Sequence, residues 1–109
     1  MIRYGSGMAQ RALGRVSRAA GDPEGAARWL EAALESFQSI QAPFEVGRTR
    51  LELAVVSGAG SEEAARQLGE ARRIFTEIRL PGYMEKAERL ARELAVAPSL
   101  ERSGGPNVR

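Results

Sequence analysis

The chain has 109 residues, of which 43% are apolar and 28% charged, and it contains neither cysteine nor histidine. This length fits one domain, and the missing residue types exclude disulfide bonds, thiolate nucleophiles, the commonest general base and the commonest zinc ligands. Sixteen basic and 14 acidic residues give a net charge of +2. No long apolar run or secretion signal is present, so we expect a cytoplasmic protein outside the membrane. Because cysteine and histidine are absent, we expect no catalytic, cofactor-binding or metal-binding residues.

The N-terminal part of the chain predicts a short tail followed by a basic helix. Residues 1–7 are rich in glycine and lack periodicity, which indicates a flexible tail. The first helix is predicted over 8–20. The stretch from Met1 to Ala20 holds four arginines and no acidic residue, so this helix carries positive charge that the net figure of +2 conceals.

The second helix, predicted over 23–40, has a clear start and a clear buried stripe. Asp22 offers an N-cap carboxylate, and Pro23 stands at the first helical position, where its missing N–H costs nothing. Apolar residues then recur at steps of 4, 3, 4 and 3, which places them on one helix face. The stripe consists of Ala26, Leu30, Ala33, Phe37 and Ile40.

The third and fourth helices, predicted over 43–58 and 61–79, repeat the first two when the sequence is aligned with itself at a shift of 38. Ten of the 31 residues from 13 to 43 are identical to the residue 38 positions later, including Leu13 with Leu51 and Phe37 with Phe75. Ser61 repeats the N-cap of the second helix. A fixed period of this length is the signature of a helical-repeat architecture, so we expect small alanines of the stripes at helix crossings and large residues such as Leu13 between the helices.

The last helix is predicted over 82–96, with Ala87, Leu90, Ala91 and Leu94 facing inward as a cap. Residues 98–109 are predicted to form a second flexible tail. The domain therefore covers 8–97, and since no window alternates as a strand does, we expect an all-α fold built from two repeats of about 38 residues and a fifth, capping helix.

The first repeat resembles the tetratricopeptide repeat. The matching residues are Leu13-Gly14 in its first helix, the Gly21-Asp22 turn, and Ala26, Leu30 and Ala33 in its second. Ser17 replaces the family's aromatic residue, and the second repeat departs further. The resemblance implies a right-handed solenoid of α-hairpins that serves as a scaffold for protein binding.

The long second helix of each repeat resembles a particular group of such proteins. The stretches 34–54 and 75–95 are similar to the extended repeats in the C-terminal regions of MalT-like and LuxR-type ATP-binding transcription regulators and related bacterial adenylate cyclases. The resemblance implies a non-enzymatic interaction scaffold that binds a partner protein or peptide through a concave groove or an end face. The alternative is an excised regulatory or oligomerisation segment of a larger bacterial signalling protein.

If the repeats stack as in this family, the first helix of each hairpin lines the concave groove. Nine residues would then form its surface: Arg11, Arg15, Arg18, Thr49, Leu53, Val56, Glu85, Glu88 and Arg92. The three arginines share one helix face and would suit an acidic peptide, which they would hold by bidentate hydrogen bonds. The alternatives are a basic face that is solvated or pairs with acids of a neighbouring repeat, and a nucleic-acid contact, which no further basic stripe or helix-turn-helix signature supports.

Trp29 is the single tryptophan and lies about 100° away from the buried stripe. Its repeat counterpart is the polar Gln67, which indicates partial exposure. Edge packing and an anchor for a partner or dimer are both open interpretations. Because about three repeats are normally needed to bury both faces of such a stack, the chain is also a candidate for a homodimer through an exposed repeat end.

Overall fold

The fold consists of five α-helices joined by short turns. The computed structural model describes the backbone of residues 2–104 and the side chains of residues 4–95. The helices are α1 (Ile2–Ala19), α2 (Pro23–Ser39), α3 (Pro43–Ser57), α4 (Glu62–Glu77) and α5 (Pro81–Gly104). No strand occurs in this part of the chain, so the predicted all-α class is confirmed.

The helix starts follow from the capping residues seen in the sequence. The Asp22 carboxylate accepts a hydrogen bond from the backbone N–H of Gly25 at 2.9 Å, and the Ser61 hydroxyl accepts one from that of Ala64 at 2.9 Å. Each bond satisfies a donor that the first helical turn leaves free. Both predicted N-caps are therefore confirmed.

The turns after α2 and α4 repeat each other. Gln41 (φ 55°) and Arg79 (φ 61°) lie in the left-handed region at equivalent places of the two repeats. One residue later, the N–H of Ala42 donates to the carbonyl of Phe37 at 3.0 Å, and that of Leu80 to the carbonyl of Phe75 at 2.9 Å. This reverse bond is typical of a helix that ends in a left-handed residue, so the repeat seen in the sequence extends to the turn geometry.

Glycines let the first helix of each hairpin lie close to the second. Gly7 of α1 faces the ring of Phe37, and Gly47 of α3 faces the ring of Phe75; a Cβ on either glycine would lie within 2.7 Å of a ring carbon. Further along α1, Gly14 lies against Leu30. Since contacts late in α1 fall early in α2, the two helices run antiparallel.

The contacts also correct the repeat register of the first helices. Gly7 and Gly47 differ by 40 in the numbering, whereas their partners Phe37 and Phe75 differ by 38. A period of 38 therefore holds for α2 and α4, and one of 40 describes α1 and α3. This is why Leu13 is wrongly predicted as a core residue: it is 41% exposed, while Leu51 is buried.

The core follows the predicted stripes of α2 and α4. Ala26, Leu30, Ala33 and Phe37 are buried, as are their counterparts Ala64, Leu68, Ala71 and Phe75. One cluster joins Ala33 and Phe37 to Val46 of α3 and Ile74 of α4. A second joins α3, α4 and Ala87 of α5, with Leu90, Ala91 and Leu94 packed against it, which confirms the predicted inward face of the last helix.

Two helix boundaries differ from those predicted. Residues 2–7 extend α1, because Gly7 permits close contact with Phe37 and Tyr4 packs edge-on against the same ring at 5.9 Å. Residues 98–104 extend α5, where Leu100, Glu101 and Arg102 have good helix propensity. The two tails are therefore helical over these residues, and 105–109 of the predicted C-terminal tail lie outside the described residues.

Candidate functional site

Arg11, the first residue of the predicted basic face, lies inside the molecule. Its side chain is only 2% exposed, and its Nη2 is 2.7 Å from Oε1 of Glu45 on α3. Its Nη1 donates to the Thr49 hydroxyl at 3.3 Å, and the guanidinium lies over the Phe37 ring at 5.1 Å. The prediction that Arg11 lines a groove is wrong, because this side chain joins α1 to α3.

Arg15 is also engaged with α3. Its Nε and Nη2 donate to the Glu52 carboxylate at 3.1 and 2.6 Å. The hydrogen bond to Glu52 is the main cause that raises the pKa of Arg15 above its ordinary value. Arg18, one turn further along the helix, is exposed. For Arg11 and Arg15 the structure therefore shows the alternative in which a basic face pairs with acids of the neighbouring repeat.

The other predicted groove residues do not form one surface. Thr49 and Leu53 are buried, so their assignment to the groove is wrong as well. The reason is that α3 is covered by α1, α2 and α4, which leaves little of its surface free. Val56 is half-buried, Glu85 and Arg92 are exposed, and Glu88 accepts a hydrogen bond from Arg72 at 2.8 Å. Partner binding by these last four residues stays a prediction.

Trp29 is 39% exposed on α2, so the predicted partial exposure is confirmed. Its role as an interface anchor stays a prediction.

An uncharged surface on α1 was missed in the sequence. We call it the outer face of α1; it consists of Met8, Ala9, Ala12, Leu13, Val16 and Ala19, all exposed. At 100° per residue these side chains span an arc of about 140°, and every arginine of the helix lies outside that arc. Val16 is 64% exposed. The spacing of Ala9, Leu13 and Val16 repeats the 4 and 3 steps of a buried stripe, which was the signal in the sequence.

A groove at the other end of the chain is lined by small residues. We call it the terminal groove; it lies between α4 and α5, encloses about 570 Å³, and its apolar lining includes Ala64, Ala65, Leu68, Ala87, Ala91 and Leu94. Arg72 and Glu88 are the charged groups among the described lining residues, and they pair with each other at 2.8 Å. Ala91 and Leu94 face inward as predicted, but no local pattern in the sequence indicates that α5 leaves a groove beside them.

The interface between α3 and α4 holds a chain of polar contacts. Nη1 of Arg50 donates to Gln67 at 2.9 Å, Gln67 donates to Glu63 at 2.7 Å, and Arg66 donates to the same carboxylate at 2.7 Å. The bond from Arg66, followed by that from Gln67, lowers the pKa of Glu63, while burial lowers the pKa of Arg50. The contact of Arg50 with Gln67 links α3 to α4, whereas the pair of Arg66 with Glu63 lies exposed within α4.

Two other kinds of site do not occur in the described residues. Over that part of the chain, no group of three acidic residues is placed to hold a metal ion. None of the helices there is long and apolar enough to cross a membrane.

Comparison of the chain with protein-family models, with curated proteins and with solved structures gives no match in any of the three.

Proposed function

We propose that this chain is a tetratricopeptide-like module without catalytic activity of its own, which binds a helix of another protein through the outer face of α1. The repeated stripes of α2 and α4, the repeated turns at Gln41 and Arg79, and the glycine contacts within each hairpin support a stack of equivalent α-hairpins. In a stack of this kind each repeat contacts only its neighbours, so the outer side of an end helix is left uncovered within the chain.

The observation that carries the proposal is the exposure of this face. Large apolar side chains lie beside small ones on it, and burial of apolar surface contributes about 25 cal/mol per Å². Contiguous exposed apolar surface on a folded protein marks sites of interaction. The alanines within the face allow a second helix to come close, as the glycines do inside each hairpin.

The charges around the face define the chemistry of its partner. Arg18 is exposed, Arg15 is 49% exposed, and α1 contains no acidic residue. A helix with a stripe of alanine and leucine flanked by glutamates would bury the stripe against the outer face and place its acids near these arginines. This partner keeps the predicted preference for acidic peptides and moves the binding site from the groove to the end of the molecule.

Peptide titration tests this proposal. The probe is a fluorescein-labelled helical peptide of about 18 residues with an alanine and leucine stripe flanked by glutamates, a length that matches α1. We expect the wild-type protein to bind it and Val16→Glu to bind at least tenfold more weakly. Gln38→Glu is the matched control, because it adds the same charge at an exposed position of α2 outside the face. Equal affinity for wild type and Val16→Glu would contradict the proposal.

A second candidate function is that of an oligomerisation segment in a larger signalling protein. The terminal groove favours this function. Together with the outer face of α1 it gives the chain two apolar surfaces, one on its first helix and one beside its last, through which copies of the chain could contact each other.

A further inference from the structure

The two uncovered apolar surfaces differ in the size of their side chains. The outer face of α1 presents Met8, Leu13 and Val16 outward. The terminal groove is walled by small residues, including Ala65, Ala91 and Ala95. Large residues that enter a groove of small ones give close helix packing.

Within the chain, α4 already covers the corresponding side of α2 and α3. Ile74 of α4 packs with Ala33 and Phe37 of α2 and with Val46 of α3. Over the described residues, no helix covers α4 and α5 in this way. The groove therefore has the form of a site that takes one more helix with an apolar stripe, and Ala9, Leu13 and Val16 provide such a stripe on α1.

Charge favours a groove contact over a symmetric contact between two α1 helices. A symmetric pair would bring together two α1 helices that each expose Arg15 and Arg18 and contain no acidic residue. In contrast, the groove lies between α4, which carries four glutamates against three arginines, and α5, whose four acidic and four basic residues balance. The outer face is uncharged and the charged groups of the groove lining, Arg72 and Glu88, are paired, so the groove contact buries no unpaired charge.

The dimensions of α1 give the approximate size of the contact. An 18-residue helix is about 27 Å long and about 10 Å wide. If half of its circumference is covered, roughly 400–500 Å² is buried on each copy, or about 800–1,000 Å² in total, near the lower limit for a specific interface. Association should therefore depend strongly on protein concentration.

We propose that copies of this chain associate head to tail, with the outer face of α1 of one copy in the terminal groove of the next. The proposal rests on the proposed function, since it names a second copy as the partner of the outer face. Each copy has one face and one groove, so the contact is heterologous and extends into linear oligomers unless another surface closes it.

Light scattering on wild type and two variants tests this arrangement. Val16→Glu disables the face and Ala65→Arg disables the groove, and both positions are exposed, so the fold should be retained. We expect the mass of the wild type to rise past that of a dimer as concentration increases, and each variant alone to stay monomeric. An equimolar mixture of the two variants should form a dimer and stop there, because it contains one intact kind of junction.

Other outcomes would overturn the proposal. A groove variant that still dimerises while the face variant does not would show a symmetric α1 contact. A wild type that is monomeric throughout would exclude self-association, and the peptide titration would then decide separately whether the proposed function survives. The helical signal is followed in all samples; if Ala65→Arg fails to fold, Ala95→Arg replaces it at the same groove, and Gln38→Glu should associate as the wild type does.

Discussion

Arg11 occupies a position on α1 where α3 has an apolar residue. In the register that the glycine contacts establish, its counterpart is the buried Leu51. The guanidinium is accommodated because it forms an ion pair with the Glu45 carboxylate, donates to the Glu45 carbonyl and the Thr49 hydroxyl, and lies over the Phe37 ring. A buried charge that is paired in this way stabilises the packing of α1 on α3 only while the partner is present.

We therefore expect Arg11→Ala to lower the free energy of unfolding by about 3 kcal/mol, since it leaves the Glu45 carboxylate, which is only 13% exposed, without its ion-pair partner. Arg15→Ala is the matched control on the same helix. It breaks a pair whose arginine is half-exposed and should cost no more than about 1 kcal/mol. Urea denaturation followed by circular dichroism measures both, and equal losses would contradict the structural role of Arg11.

The burial of Arg11 could not be predicted from residue type, because charged side chains on helices normally face water. Two glycines on the same face of α1 do indicate this burial. Gly7 and Gly14 stand four residues before and three after Arg11, and thus on the same face of α1. Two small residues on one face indicate close approach of another helix, whereas the exposed Leu13 lies on the opposite side.

At the scale of the elements, α2, α3 and α4 were predicted closely because their ends carry strong local signals. Asp22 and Ser61 cap α2 and α4, and prolines open α2 and α3. The start of α1 was missed because glycine and serine near the N-terminus resemble a tail, and the use of Gly7 depends on Phe37, which belongs to the next helix. The terminal groove depends on how α5 lies on α4, which no local pattern specifies.

The ion pairs of α4 predict sensitivity to acid. The hydrogen bond from Arg66 lowers the pKa of Glu63, and that from Arg73 lowers the pKa of Glu70. Carboxylates with a depressed folded-state pKa stabilise the fold fully above their unfolded-state pKa, about 4.3 for glutamate, and this contribution is lost as the pH falls through the folded-state pKa. The melting temperature should therefore fall progressively below about pH 4.3.

Thermal melts of Glu63→Gln at the same series of pH values test this assignment. The substitution removes one of the two depressed carboxylates, so the variant should melt earlier than wild type at neutral pH and lose less of its melting temperature in acid. An acid-induced loss as large as that of the wild type would show that Glu63 does not contribute.

At the scale of the whole molecule, α3 joins all the other helices. It binds α1 through Glu45 and Glu52, packs on α2 through Val46, faces α4 at Gly47, and reaches α5 through Phe44, whose ring meets Tyr83 at 5.0 Å. The outer helices contact fewer elements. In the repeat stack proposed above, stability would be approximately the sum of hairpin terms and nearest-neighbour interfaces, and such a chain should open from its ends.

Native-state hydrogen exchange can resolve this order of opening. We expect the amides of α3 to be the most protected, and those of α1 and α5 to exchange through smaller openings. Because Arg11 joins α1 to α3, Arg11→Ala should reduce protection in α1 and α2 while the amides of α4 keep most of theirs. Equal loss of protection in all five helices would instead mean that the chain unfolds as one cooperative unit, and the two hairpins would then not behave as separable repeats.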